Sequence, residues 1–243
     1  MIPLSMLPAI VDRATTTYHY VRSNVDGTLP EHVVFRPSGD SIEIFKFVKP
    51  GTASALVSCT MAPGWQSPLH LRSVQLEGAR RRLIATLSYD RELGCANVFV
   101  APTGQPAEPV LIPTPSWHIF NMDLASLVAT LSKRRQAFAF HFIEPNMASP
   151  SPLMIDLGLF ELSPTGAVSK RGTPCREWEL TGPVLGSKKG RLWMAVDGYL
   201  VEATIPLPNH PGYRDFRMVL VDRRRMADAQ WRHYVAATAR GGN

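Results

Sequence analysis

His141 sits in the run Phe138-Ala139-Phe140-His141-Phe142-Ile143, and Glu144 follows three residues behind it. An imidazole whose pKa crosses neutrality with small environmental changes, close to a carboxylate, is a pairing suited to general acid–base chemistry. The same pattern fits a core histidine satisfied by one hydrogen bond, so His141 and Glu144 are candidates for catalysis and His141 equally for packing. Three further places could hold a ligand. Trp117-His118 stands just before an amphipathic stretch, where the mouth of a cavity would form. His210 belongs to the loop 206–213, whose three prolines stiffen it enough to present contact groups at a rim. Trp193, like Trp178, offers a flat ring suited to a strand-pair contact or to a lipid platform. With Phe140, the expected ligand contacts are Trp117, His118, Phe140, His141, Trp193 and His210.

The rest of the chain adds little chemistry. The seven histidines, at 19, 32, 70, 118, 141, 210 and 233, never fall at i, i+2 or i, i+4, so no prebuilt metal face exists. There is no Gly-x-Ser-x-Gly elbow, P-loop, Gly-x-Gly-x-x-Gly turn or His-Glu-x-x-His, and no cofactor or metal is expected. Cys59, Cys95 and Cys175 are an odd number without metal-ligand spacing, which favours three buried thiols over a disulfide framework. A net charge of +6 favours anionic partners. Much of it lies in Arg80-Arg81-Arg82, Lys133-Arg134-Arg135 and Arg223-Arg224-Arg225, which suit solvated element ends, a helix carboxy terminus, or contact with an anionic surface. Specific nucleic-acid binding is not expected, because no recognition motif accompanies the charge.

The elements that would position these residues read as strands almost throughout. Residues 15–22 are β-branched and aromatic, with Asp26-Gly27 at hairpin position; 42–48, 53–61, 69–76, 83–89 and 96–101 continue the meander. In 42–48 apolar residues take both faces, which requires either two covered faces or a bulge. Five prolines between 102 and 115 mark a connection, with room for an edge strand near 110–112. Leu124, Leu127, Val128 and Leu131 then fall at helical spacing, with Asn121 or Asp123 as cap, predicting a helix over 122–135. In the strand that follows, Phe138, Phe140 and Phe142 share one face, with Ala139, His141 and Ile143 on the other. A strand over 154–162 is expected to end at the turn Ser163-Pro164-Thr165-Gly166. Asp197-Gly198 between alternating apolar runs is the strongest hairpin signal in the chain. The carboxy-terminal meander spans 137–221, and 224–239 reads as a terminal helix. The expected fold is mainly β: one domain over 1–243, an antiparallel, strongly curled sheet or incomplete β-barrel around one internal helix, with a C-terminal helix. A helix in the concave face would bury its own stripe and the sheet's inner residues together.

Residues 175–180, 190–197, 201–205 and 216–220, with Asp123-Leu124-Ala125-Ser126-Leu127 ahead of a strand, resemble a bacterial exported family whose members look like the half-barrels of periplasmic lipoprotein carriers. The resemblance covers roughly residues 118–221. It implies an apolar or lipid cavity and export, and it carries no catalytic residue. The first eleven residues have apolar character but two prolines and no basic start, so a secretory leader is not evident and the default location is cytoplasmic. No apolar run has the length of a spanning helix, so an integral membrane protein is not expected. The function expected is binding or carriage of a hydrophobic or amphipathic, lipid-like small molecule. The alternative is a small enzyme acting on an apolar substrate with a histidine general base, and the third reading is an interaction module using an open sheet edge.

Overall fold

A computed structural model describes residues 14–65, 67–100, 108–112, 116–146 and 152–242. The amino-terminal segment read for a leader and most of the proline-rich connection lie outside these residues. Strands β1 (Thr15–Ser23), β2 (Glu31–Ser38), β3 (Ser41–Phe47), β4 (Ser54–Met61), β5 (Pro68–Glu77), β6 (Arg80–Asp90), β7 (Cys95–Val100) and β8 (Glu108–Leu111) form the first meander. The second comprises β9 (Trp117–Ile119), β10 (Phe138–Pro145), β11 (Met154–Lys170), β12 (Thr173–Thr181), β13 (Gly190–Ala195), β14 (Leu200–Ile205) and β15 (Phe216–Met226). Helix α1 (Ala125–Leu131) lies between β9 and β10, and α2 (Asp228–Ala239) follows β15.

All fifteen strands form one sheet, ordered from β8 down to β1, across to β15, and down to β9. Neighbours are antiparallel except β9 and β10, which run parallel. The two meanders join where the first strand pairs with the last, Thr15 opposite Met226 and Ser23 opposite Arg217, with a bulge at His19/Tyr20. Among the described residues the sheet is not closed by hydrogen bonds, but it curls far enough for the Tyr89 ring of β6 to meet Trp117 of β9 edge-on at 5.4 Å.

Helix α1 fills the hollow. Leu127, Leu131 and Val128 are buried in one cluster with Tyr20, Ile44, Phe140, Phe160, Leu192 and Phe216, residues drawn from both meanders. The expected internal helix is present but shorter than 122–135. A 3₁₀ turn occupies Phe120–Met122, and Asp123 and Leu124 are both left-handed (φ 52° and 65°) before the helix starts. Neither Asn121 nor Asp123 caps it through a side chain. The Asp123 carboxylate is committed elsewhere, to buried cations described below.

The doubly apolar strand 42–48 is explained by two covered faces. Ile42 and Ile44 face the helix, while Phe45 and Phe47 lie under α2 with Trp231 and Val235. The pairing of β3 with both neighbours runs without a break, so no bulge is needed. Three expectations are corrected. Residues 224–226 remain in β15 because they pair with Thr15–Thr17, so α2 starts only at Asp228. The Ser163–Gly166 segment does not turn: β11 runs through it, absorbing Pro164 at a bulge opposite β12, and the chain reverses at Arg171-Gly172. A bulge between His141 and Ile143 turns Ile143 inward, away from the face of Ala139 and His141. The Asp197-Gly198 hairpin forms as expected, with Gly198 at φ 93° and its amide donating to the Ala195 carbonyl at 2.9 Å. A residue with a Cβ would be strained at that φ. Of the thiols, Cys59 and Cys175 are buried and Cys95 is half-buried; burial pushes the Cys59 thiol up to about 12, which makes it inert.

Candidate functional site: the two ends of the internal helix

The internal helix runs between two chemically different ends. Its amino-terminal entry meets the Arg22 end of β1 and the Lys46 end of β3. Its carboxy-terminal end meets the part of the sheet containing Tyr18, Phe35 and Ile42.

At the first end, Arg22 Nη1 donates to Asp123 Oδ1 at 2.7 Å, and Lys46 Nζ forms an ion pair with Asp123 Oδ2 at 2.6 Å. Arg22 also pairs with Glu31, and Lys46 donates to the Asn121 carbonyl at 2.6 Å. Asn209 Nδ2 donates to Asp123 Oδ1 at 2.9 Å, and His210 Nδ1 lies 2.6 Å from Arg22 Nη1. Burial alone would raise the Asp123 pKa, but the facing charges of Arg22 and Lys46 outweigh it and hold the carboxyl well below the usual carboxylate range. Burial and the Lys46 charge push His210 down to about 2, so its ring stays neutral. The cluster is therefore charge-compensated, two cations against Asp123 and Glu31, and it ties the helix entry to β1, β2 and β3.

Glu144 lies at the edge of this end, beside Asn121, Asn209 and His210 in an open cleft of about 360 Å³. Burial, reinforced by the Asp123 charge, raises its carboxyl to about 8. The folded protein thus holds a proton on Glu144 between 4.5, the ordinary value, and about 8, where the unfolded chain does not. Folding stability contributed by this group is full below pH 4.5 and is lost as pH rises through 8. Melting temperature is accordingly expected to fall between pH 5 and 9 in the wild-type protein on account of Glu144. Glu144→Gln should flatten that slope; an unchanged slope would show that Glu144 is solvated.

The expected His141–Glu144 pair does not form. His141 faces outward on β10, and its Nδ1 lies 2.9 Å from Asp156 Oδ2 on β11. Glu144 instead lines a cleft with Asn121, Asn209 and His210. A half-exposed polar contact of this kind contributes little, and His141→Gln is expected to change the unfolding free energy by less than about 1 kcal/mol. Equilibrium unfolding in urea checks this.

The other expected contacts are distributed over core and surface. Trp117, His118 and Phe140 are fully buried. His118 Nδ1 lies 3.1 Å from Ser126 Oγ on α1, and burial pushes its imidazole down to about 3, so it is a neutral core histidine. Phe140 packs against Phe138, Phe142 and Phe160, as core rather than cavity wall. Trp193 lies on the outer face of β13 under Lys170, whose ammonium sits 3.7 Å from the ring centre. Of the six, His210 borders an open cleft.

The apolar cleft lies at the other end, and sequence reasoning missed its residues. It has a volume of about 230 Å³ between the flank of α1, at Val128 and Ala129, and a wall made by Tyr18, Tyr20, Phe35 and Tyr199. Tyr18 and Tyr199 stack at 5.8 Å, and the Arg223 guanidinium covers Tyr199 at 4.0 Å. Lys133 and Asp197 stand on the rim. A signal existed: Tyr18 and Tyr20 are two apart on a strand and hence share a face, and Tyr199 follows the hairpin glycine directly. What the sequence lacked was the pairing that brings β1 beside the hairpin.

Among the described residues no helix is long and apolar enough to cross a membrane, and no group of three or more His, Cys, Asp or Glu side chains could hold a metal ion. Comparison with family models and with curated proteins finds no match. Among solved structures, the chain is similar to a β-barrel-like DUF1849 protein from Brucella abortus, at 7% identity and TM-score 0.49, covering 88% of this chain and 99% of that one. It is also similar to a DUF1329 family protein from Desulfovibrio piger, at 10% identity and TM-score 0.33, covering 93% and 92%. A candidate lipoprotein from Parabacteroides distasonis aligns at 8% identity and TM-score 0.27, covering 88% and 96%.

Proposed function

We propose that the protein binds a hydrophobic or amphipathic small molecule in the cleft between α1 and the β1–β3 wall. The observation that carries this reading is the cleft itself: an apolar opening at one end of the curled sheet, floored by the helix and walled by three tyrosines and a phenylalanine. Ligand sites are concave and mostly apolar, with a few polar groups at the edge to orient the guest. At about 230 Å³ the cleft is smaller than the roughly 300 Å³ at which drug-sized pockets begin. Its guest is accordingly slim, such as a single alkyl chain, or protrudes from the mouth.

Aromatic walls suit this role, since tyrosine presents apolar ring area while its hydroxyl stays near water. The test is to fill the cleft. Ala129→Trp places an indole where the chain would lie, and native mass spectrometry or displacement of a fluorescent fatty acid reads uptake. Loss of uptake with an unchanged melting temperature is the expected result. Undiminished uptake by the folded variant would remove the cleft as the site.

A further inference from the structure

We infer that the molecule taken up beside α1 is an anionic amphiphile, its carboxylate or phosphate held by Lys133, Arg134, Arg135 and Arg176; this rests on the cleft reading above. The cleft does not end at its apolar walls. Ser132 and Gly198 line it and also line an adjoining notch, whose other walls include Arg134, Arg135 and Arg176. Lys133 lines the cleft itself. A chain lying along α1 would therefore leave its polar end among four cations contributed by the turn after α1 and by β12.

The local charge balance is one-sided. The carboxylate at the mouth is Asp197, and it is already engaged by Arg223 at 3.4 Å. Glu177 and Glu179, also on β12, are turned to Arg191 and Lys189 on the outer surface. Among the described residues Arg134, Arg135 and Arg176 form no ion pair, and Arg134 rests instead over the Phe138 ring at 4.6 Å. Arg176 Nη1 is buried with no acceptor. A guanidinium nitrogen removed from water without a partner is costly, and a planar fork of donors matches the oxygens of a carboxylate or phosphate.

Complementing the helix dipole does not account for the arrangement. A helix end carries about half a negative charge, and the last carbonyls of α1 are already taken by the amides of Ser132, Lys133 and Arg134 at 3.0–3.1 Å. Arg176 comes from a strand and has no helix end to serve.

Full-length protein is titrated calorimetrically with four twelve-carbon ligands below their micellar concentrations: laurate, dodecyl phosphate, dodecanol and dodecyltrimethylammonium. At least one anion should bind ten-fold or more tightly than dodecanol, with the cation weakest and the anion's advantage shrinking as salt is raised. The tighter of the two anions identifies the headgroup. Arg135→Glu, at an exposed position outside the cleft lining, should weaken the preference with dodecanol binding and melting temperature unchanged, and Arg176→Gln should weaken it likewise. Equal affinity for anions and dodecanol would overturn the headgroup assignment and leave the cleft reading standing. Failure of all four to bind would overturn the cleft reading itself.

Discussion

Asp123→Ala is expected to destabilise the protein by about 3–5 kcal/mol, the cost of breaking a buried ion pair by removing one partner. The carboxylate is fully buried, and both Arg22 and Lys46 point at it, so its loss leaves Lys46 buried without its carboxylate and Arg22 with Glu31 alone. Asn209 would lose its acceptor as well. For a chain of this size each kcal/mol shifts the melting temperature by about 2–4 °C, so a fall of roughly 6–20 °C should be seen. The pH profile gives an independent check. A carboxyl held below its ordinary value of 3.8 contributes stability that is present above that pH and is lost as pH falls toward the folded-state value. Wild-type protein should therefore weaken below about pH 4 through this group, and the alanine variant should lack that component. A variant that unfolds within 1 kcal/mol of wild type would show that the cluster is open to water.

The second large effect concerns Phe140. Truncation to alanine is expected to cost about 3–5 kcal/mol, the range for deleting a buried phenylalanine ring. Its ring meets Phe138, Phe142, Phe160 and His118, all within the packed interior. It does not line the cleft beside α1. Ligand affinity of the folded variant should thus be unchanged, while urea unfolding shifts to lower denaturant. A variant of wild-type stability with weakened uptake would instead return Phe140 to the role its sequence position first implied. The two measurements together separate packing from recognition.

Residues 15–22, 83–89 and 191–205 illustrate what was readable along the chain. Alternation of period two and a turn dipeptide are properties of a few adjacent residues, so strands and the Asp197-Gly198 hairpin could be placed without knowing their neighbours. The amphipathic stretch around Leu127 was readable for the same reason. Its place inside the curl followed because a lone apolar stripe between two sets of strands has no other cover. Where local signals competed with distant partners, they failed. Asp123 precedes an apolar run and reads as a helix cap, yet Arg22, which claims it, lies 101 residues away. His141 and Glu144 are near in sequence, but Asp156 across the strand pair takes the imidazole.

The candidate site shows the same division. Trp117, His118 and Phe140 are large residues beside a helix, and nothing in their spacing distinguishes a cavity wall from a core; packing against Tyr89, Ser126 and Phe160 made them core. Tyr18 and Tyr199 become a cleft wall only because β1 pairs with β15, and β15 with β14, so that residues near opposite ends of the chain stack at 5.8 Å. By itself, the sequence determined the strand pattern, the internal helix and the excess of positive charge, since each is set by neighbouring side chains or by their sum. The tertiary structure alone decided which face each cation meets, which aromatic residues are sealed and where the cleft opens. Those outcomes depend on contacts between residues far apart in the chain, and no local periodicity encodes which distant side chain will arrive.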